Sequence, residues 1–107
     1  MSNTLLDQID LTPEDISAIK RSFKQIFLNN DQLWLFIDKT KKNDRISLYI
    51  ETNIENDDAV ETMENQLTYA LWGSIGEQTI DLVVNALTMN QDLPIYNIAK
   101  QSGIRLI

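Results

Sequence analysis

Two strand-like runs separated by only six residues constrain the fold of this chain more than any other feature. The first run is Gln32-Leu-Trp-Leu-Phe-Ile-Asp38, and the second is Arg45-Ile-Ser-Leu-Tyr-Ile-Glu51. A crossover between parallel strands needs about a dozen or more residues, so we expect these runs to form an antiparallel hairpin. The stretch from Leu33 to Ile37 is apolar on both faces, which indicates a central buried strand. The second run alternates, with one apolar face made of Ile46, Leu48 and Ile50.

Helical patterns flank this hairpin. Thr12-Pro-Glu-Asp15 combines a hydroxyl N-cap, a proline in the first turn and acids near the positive end of the helix dipole. A helix should therefore start here, and its apolar stripe repeats at helical spacing from Ile16 to Phe27. A second helix should start at Asp57 or Asp58, with a stripe made of Val60, Met63, Leu67, Ala70 and Leu71.

The last third of the chain completes the predicted architecture. Thr79–Val84 alternates as a third strand, and Pro94 starts a short helix that Gly103 caps. We predict a single α+β domain over residues 11–107, built on a small mixed sheet with the element order α-β-β-α-β-α. The third strand, reached through a helix, should pair parallel to one hairpin strand. We expect residues 1–10 to be partly mobile.

Composition narrows the possible chemistry. The 107 residues are 43% hydrophobic and 23% charged, which is typical of a globular domain. No apolar run approaches the roughly 20 residues of a membrane span, and the N-terminus lacks the basic and apolar regions of a signal peptide. We therefore expect a cytoplasmic protein with no membrane partner. The absence of histidine and cysteine excludes Ser-His and Cys-His catalysis and thiolate zinc sites.

Charge is unevenly distributed along the chain. The net charge of −7 disfavours nucleic acid as a partner. Four of the nine basic residues nevertheless cluster in the hairpin loop: Lys39, Lys41, Lys42 and Arg45. The segment from Glu51 to Glu64 contains six acids and no basic residue. We expect the loop charges to hydrate a sheet end and the acids to favour a helix N-terminus.

Four strings, taken in order, resemble the minimal nucleotidyltransferases, small relatives of the polymerase-beta palm. Leu33-Trp-Leu-Phe36 resembles the strand before the family's Gly-Ser, and Leu48-Tyr-Ile-Glu-Thr52 the strand that begins within Asp-x-Asp. Ile80-Asp-Leu-Val-Val84 resembles the third strand, which supplies a third carboxylate. Leu93-Pro-Ile-Tyr, Ile98-Ala-Lys and Gly103-Ile-Arg-Leu106 look like the C-terminal helix of a short subgroup. The resemblance runs from about Leu11 to Leu106.

The resemblance implies a two-metal nucleotidyl transfer, but the residues that would perform it are replaced. Ile37 and Asp38 occupy the Gly-Ser slot, where a β-branched side chain blocks the approach of phosphate. Arg45 and Ser47 occupy the Asp-x-Asp slot, and a permanent cation repels Mg²⁺. Asp81 is the one matching carboxylate. We expect no catalytic residue, no metal and no cofactor at this degenerate site.

Three functional hypotheses remain open. The first is an inactive nucleotidyltransferase-like domain that binds a protein, either a HEPN-type helical partner in an antitoxin-like role, as the resemblance implies, or a second copy. The second is a residual nucleotidyltransferase that uses Mg²⁺ and ATP through Asp38 and Asp81. The third is a metal-independent phosphate or RNA binder that uses Lys39, Lys41, Lys42 and Arg45.

Several residues also have simpler structural interpretations. Asp38 is expected to pair with Arg45 or a loop lysine, and Asp81 to be a solvated acid. Tyr49 should share a sheet face with Arg45, Ser47 and Asp81, and it is the one aromatic candidate for stacking a base near the loop. Both tryptophans are expected in the core, with an interface role as the alternative: Trp34 and Trp72.

Overall fold

The computed structural model describes residues 11–27, 30–38, 45–75, 80–86 and 93–107. In chain order the elements are α1 (Pro13–Ile26), β1 (Gln32–Asp38), β2 (Arg45–Thr52), α2 (Asp57–Ile75), β3 (Asp81–Ala86), α3 (Pro94–Ser102) and β4 (Ile104–Arg105). The predicted α-β-β-α-β-α order is confirmed, and β4 is an additional strand that the sequence patterns missed. Residues 1–10, for which mobility is expected, lie outside the described residues.

The sheet has the strand order β3-β2-β1-β4. β1 and β2 pair antiparallel from Gln32↔Glu51 to Asp38↔Arg45, which confirms the hairpin. β3 pairs parallel to β2 from Ser47↔Asp81 to Thr52↔Ala86, as the helical connection predicted. This strand ends two residues later than expected, and Thr79 lies outside the described residues. β4 pairs antiparallel with the other edge of β1, so β1 is the central strand that its apolar character indicated.

Local signals account for the starts of the two longer helices. Thr12 caps α1 through a capping box, in which its hydroxyl accepts from the Asp15 N–H and the Asp15 carboxylate accepts from the Thr12 N–H, both at 3.1 Å. α2 begins at Asp57 as predicted, but the capping side chain belongs to the residue before it. Asn56 Oδ1 accepts hydrogen bonds from the backbone N–H groups of Asp58 (2.9 Å) and Ala59 (3.2 Å).

The two faces of the sheet are covered by different helices. On the face that we call aliphatic, sheet side chains pack against α1 and α2 in one buried cluster: Leu33, Leu35, Leu48 and Ile50 from the sheet, Ile19, Phe23 and Phe27 from α1 and its C-cap, and Leu67 and Leu71 from α2. On the opposite, aromatic face, three sheet side chains pack against Tyr96 and Ala99 of α3: Trp34, Phe36 and Tyr49. Alternation along each strand produces this division.

Gly103 ends α3 in close contact with β1. Its N–H donates to the Ala99 carbonyl at 2.9 Å, which confirms its predicted place as the helix C-cap. Its backbone is extended, with φ at −92°, so the glycine is not needed for a left-handed turn. A Cβ atom here would instead collide with the Ala99 carbonyl oxygen and would lie 2.7 Å from the Leu35 carbonyl oxygen. The requirement for glycine therefore comes from how closely α3 approaches the sheet.

Candidate functional site

The positions that the resemblance aligns with the family's Gly-Ser and Asp-x-Asp motifs lie near one another in the sheet. Asp38 ends β1 directly opposite Arg45, the first residue of β2. Ser47 lies in register with Asp81, the first residue of β3. Ile37 is half-buried and packs with the aliphatic core. The structure therefore brings the predicted positions together at one corner of the sheet.

The residues at this corner are poorly accessible. Ser47 is fully buried, and Asp38 is only 4% exposed. The expected pairing of Asp38 with Arg45 or a loop lysine stays a prediction. Asp81 is half-buried. A ligand therefore has no access to the Ser47 hydroxyl in this arrangement. Among the described residues, no three acidic, histidine or cysteine side chains group in a way that could hold a metal ion.

Asp38 and Asp81 lie on the same sheet face but on different strands. β2 runs between their strands, so their Cα atoms are separated by two strand spacings, about 10 Å, before the offset along the strands is added. In an Asp-x-Asp motif the two carboxylates would instead follow each other on one strand. The two remaining acids are thus spread across the corner instead of adjacent.

Most of the basic loop lies outside the residues that the structure describes. Lys39, Lys41 and Lys42 lie outside the described residues, and Arg45 is described through its backbone register alone. Tyr49, the aromatic residue on the same face, is fully buried between Trp34 and Tyr96. It therefore has no free ring face on which a base could stack, which corrects the expectation for this residue.

A series of side-chain hydrogen bonds, which we call the polar cluster, lies beside these aromatic rings. It is on the same sheet face as Asp38 and Asp81, towards the opposite end of the strands. Asn85 Nδ2 donates to the Tyr49 hydroxyl oxygen at 3.1 Å, and that hydroxyl donates to Glu51 Oε2 at 2.7 Å. Lys100 on α3 donates to the same carboxylate oxygen at 3.1 Å and forms an ion pair with it. The Gln32 amide satisfies both of its neighbours when its nitrogen faces Glu51 and its oxygen faces Arg105. In this orientation the nitrogen donates to Glu51 Oε1 (3.1 Å) and the oxygen accepts from the Arg105 guanidinium (3.0 Å).

Two cations flank the buried Trp34 ring. Lys100 Nζ lies 5.3 Å from the ring centroid, and Arg105 Cζ lies 5.6 Å from it. Both distances fall within the roughly 6 Å range of cation–π attraction. The same two side chains interact with Glu51, one directly and one through Gln32, so each charge in the cluster has an opposite or aromatic neighbour.

The protonation state of Tyr49 suits a structural role. Burial raises the pKa of its hydroxyl far above the ordinary value, the hydrogen bond from Asn85 opposes that rise, and the bond to the Glu51 carboxylate reinforces it. Tyr49 is therefore a neutral phenol that donates a hydrogen bond, and it is not a base or nucleophile near neutral pH. This cluster fixes α3 on the sheet, and its geometry supplies no reactive group.

The most exposed aromatic side chains lie elsewhere, on the outer side of α2. Tyr69 is 69% exposed and Trp72 is 47% exposed, and their rings meet edge to face with centroids 5.6 Å apart. The expected core position of Trp72 is therefore wrong and its alternative, an interface role, stays a prediction, whereas Trp34 is buried as predicted. A helical-wheel test would have found this, because Leu71 holds the inward position and the next residue is rotated by about 100°.

Comparisons with known proteins leave the resemblance as a prediction. No family model, curated protein or solved structure matches this chain. Among the described residues, no helix has the length and apolar character needed to cross a membrane.

Proposed function

We propose that this chain is a nucleotidyltransferase-like domain that has lost nucleotidyl transfer and acts as a protein-interaction module. The burial of Ser47 supports the loss most directly, because this residue occupies an Asp-x-Asp position that must touch a metal in an active enzyme. Arg45 occupies the other position of that pair and brings the wrong charge for a metal ligand. The site under this proposal has no catalytic residue and no cofactor.

The partner side of the proposal rests on the outer surface of α2. Exposed tyrosine and tryptophan side chains are enriched where proteins bind one another, and here the two rings lie side by side. The partner that the resemblance implies is a helical protein of the HEPN type, with this chain in an antitoxin-like role. A second copy of the chain is the other occupant to be tested.

Co-expression with the helical protein encoded next to this chain tests the interaction. A tagged copy should recover that protein as a complex of defined stoichiometry, measured by light scattering after size exclusion. Asp81→Asn is the matched control, since a non-catalytic module should retain its partner when this acid is neutralised. Recovery of self-associated chain alone would contradict the proposed partner.

The residual nucleotidyltransferase is the second candidate, because Asp38 and Asp81 do share one face of the sheet. Any ligand that binds only the native state raises the melting temperature, so nucleotide binding can be measured by thermal unfolding. We expect no change in Tm with millimolar ATP and Mg²⁺ or Mn²⁺. A metal-dependent rise that Asp81→Asn abolishes would favour the residual enzyme instead.

A further inference from the structure

An exposed stripe follows one side of α2 from its first turn to its last. Its members are Asp58, Glu61, Asn65, Tyr69 and Trp72, all of them exposed. Their spacings of three or four residues keep them on the same side of the helix. At about 1.5 Å of rise per residue the stripe is about 21 Å long, which matches four turns of a second helix. We call this surface the α2 stripe.

The C-terminal end of the α2 stripe is aromatic and exposed. Tyr69 and Trp72 contact each other edge to face, yet both remain largely open to solvent. Adjacent exposed aromatic side chains on one helix commonly mark a contact surface. Both rings also present faces to which an arginine or lysine can bind.

The N-terminal end of the α2 stripe is acidic. α2 contains four acids and no basic residue: Asp57, Asp58, Glu61 and Glu64. The Lys100–Glu51 ion pair lies on the opposite face of the sheet and neutralises none of them. The pKa of Glu64 is raised, first by burial and then by the charge of Glu61, so negative charges within the helix already repel each other. A cationic neighbour would relieve that repulsion.

We propose that the α2 stripe is the docking surface for an amphipathic helix of a partner protein, with lysine or arginine facing Asp58 and Glu61 and an apolar or arginine side chain facing Tyr69 and Trp72. The inference rests on the proposed protein-interaction function and specifies the chemistry of the partner. Charge excludes an acidic segment or a nucleic acid at this surface. The straight i, i+3, i+4 ridge suits the groove of another helix better than it suits an extended strand.

The direct test uses a synthetic basic amphipathic peptide of four helical turns, composed of leucine and lysine at helical spacing. We expect it to bind the full chain, with the emission of Trp72 shifting towards the blue as the ring is covered. Binding should weaken as salt rises, because exposed charges are screened over about 8–10 Å at moderate ionic strength. A matched peptide with glutamate in place of lysine should not bind, and equal binding of the two would overturn the inference.

Variants of the chain locate the contact. Trp72→Ala with Tyr69→Ala should weaken peptide binding at least about tenfold, measured by titration calorimetry because the variant lacks the Trp72 signal, as is typical of an interface hot spot. Ile98→Ala is the matched control, since it removes an apolar side chain that is 42% exposed on α3. Glu61→Gln should weaken binding more than Glu14→Gln, which removes the same charge from the exposed side of α1. Equal effects within either pair would show non-specific attraction and overturn the inference.

Recovery of the co-expressed helical partner by wild type and by the double variant distinguishes two outcomes. In one the α2 stripe is not the docking surface, and in the other the proposed interaction function itself is wrong. If the partner binds wild type and the Tyr69→Ala/Trp72→Ala double variant equally, the α2 stripe is overturned while the interaction function stands. If the wild type forms dimers that the double variant abolishes, the occupant is a second copy and the partner helix is overturned. Loss of the partner in the double variant, with unchanged Tm and unchanged recovery by Ile98→Ala, supports the inference.

Discussion

The aliphatic and aromatic faces of the sheet are built from the same strands but hold their helices by different means. On the aliphatic face, α1 and α2 pack against the sheet through one cluster of buried apolar side chains, whose hydrophobic attraction is non-directional and depends on buried area. On the aromatic face, the short helix α3 is held by tilted aromatic contacts that link Tyr96 to Tyr49 and Trp34, by the Glu51–Lys100 ion pair and by close backbone approach at Gly103. The two faces should therefore respond differently to cavities, added volume, pH and salt.

Truncation of neighbouring residues on β1 is the strongest test of that difference. Leu35 and Phe36 are both fully buried and point to opposite faces. Leu35→Ala should lower the free energy of unfolding by about 2–5 kcal/mol and Phe36→Ala by about 3–5 kcal/mol, through lost burial and a residual cavity. Hydrogen exchange should rise mainly in α1 and α2 for the first variant and in α3 for the second. The same exchange pattern in both variants would contradict two separate faces.

The next largest effect should come from adding one methyl group beneath α3. Gly103→Ala forces a Cβ atom against the backbone of Ala99 and Leu35, which cannot move aside as a flexible side chain could. We expect a loss of about 1–3 kcal/mol in urea unfolding. Gly73→Ala is the control: no atom lies within 4 Å of the added Cβ, and alanine favours helix by about 1 kcal/mol over glycine. Equal stability of the two variants would refute the close-approach explanation.

Removing the buried Tyr49 hydroxyl tests the contribution of the polar cluster to stability. Tyr49→Phe takes a hydrogen bond from both Asn85 and Glu51, so we expect a loss of about 1–3 kcal/mol near neutral pH. The control Tyr69→Phe removes an exposed hydroxyl and should be nearly neutral.

The contribution of Tyr49 to the free energy of unfolding should also depend on pH in the alkaline range. Because the folded-state pKa of Tyr49 is raised, its stabilising effect is complete below the unfolded pKa near 10 and falls as pH rises above it. The free energy of unfolding should then drop by at most about 1.4 kcal/mol per pH unit from this group. Tyr49→Phe should make that slope shallower, and an unchanged slope would argue against the buried phenol.

The smallest expected effect concerns the exposed end of the cluster. Lys100→Met keeps the aliphatic stem but loses the ion pair with Glu51 and the cation above Trp34. Since Lys100 is about half exposed, the cost should be no more than about 1 kcal/mol and should shrink in high salt. Lys24→Met on the exposed side of α1 should show no comparable change. Equal salt dependence of the two variants would show that Lys100 adds nothing specific to the aromatic face.

Sequence patterns predicted the hairpin and the element order because both depend on short-range spacing. The six-residue gap between Asp38 and Arg45 allows little except antiparallel pairing, which the register confirms. β4 was missed because its two residues are too few to show alternation, and its pairing with Trp34 and Leu35 is a tertiary contact. Asp38, Ser47 and Asp81 share one sheet face because their three strands are neighbours in the sheet.

The polar cluster could not be predicted for a different reason. Glu51 and Lys100 are 49 residues apart, and neither belongs to a local motif that would connect them. The prediction for Trp72 failed for another reason. Its helix was predicted correctly, but its apolar character suggested the buried side of that helix, and the side chain is exposed. Hydropathy alone does not separate a core residue from an exposed one when two apolar residues follow each other in a helix.

The position of β4 beside the central strand sets the order in which the sheet can assemble. β1 and β2 are close in sequence, so their hairpin closes a short loop and can form early. The other edge of β1 remains unpaired until Ile104 and Arg105 have been synthesised, well after the hairpin. An apolar strand edge left open pairs readily with other chains. Arrival of β4 is therefore the step at which a newly made chain gains protection from aggregation at its central strand.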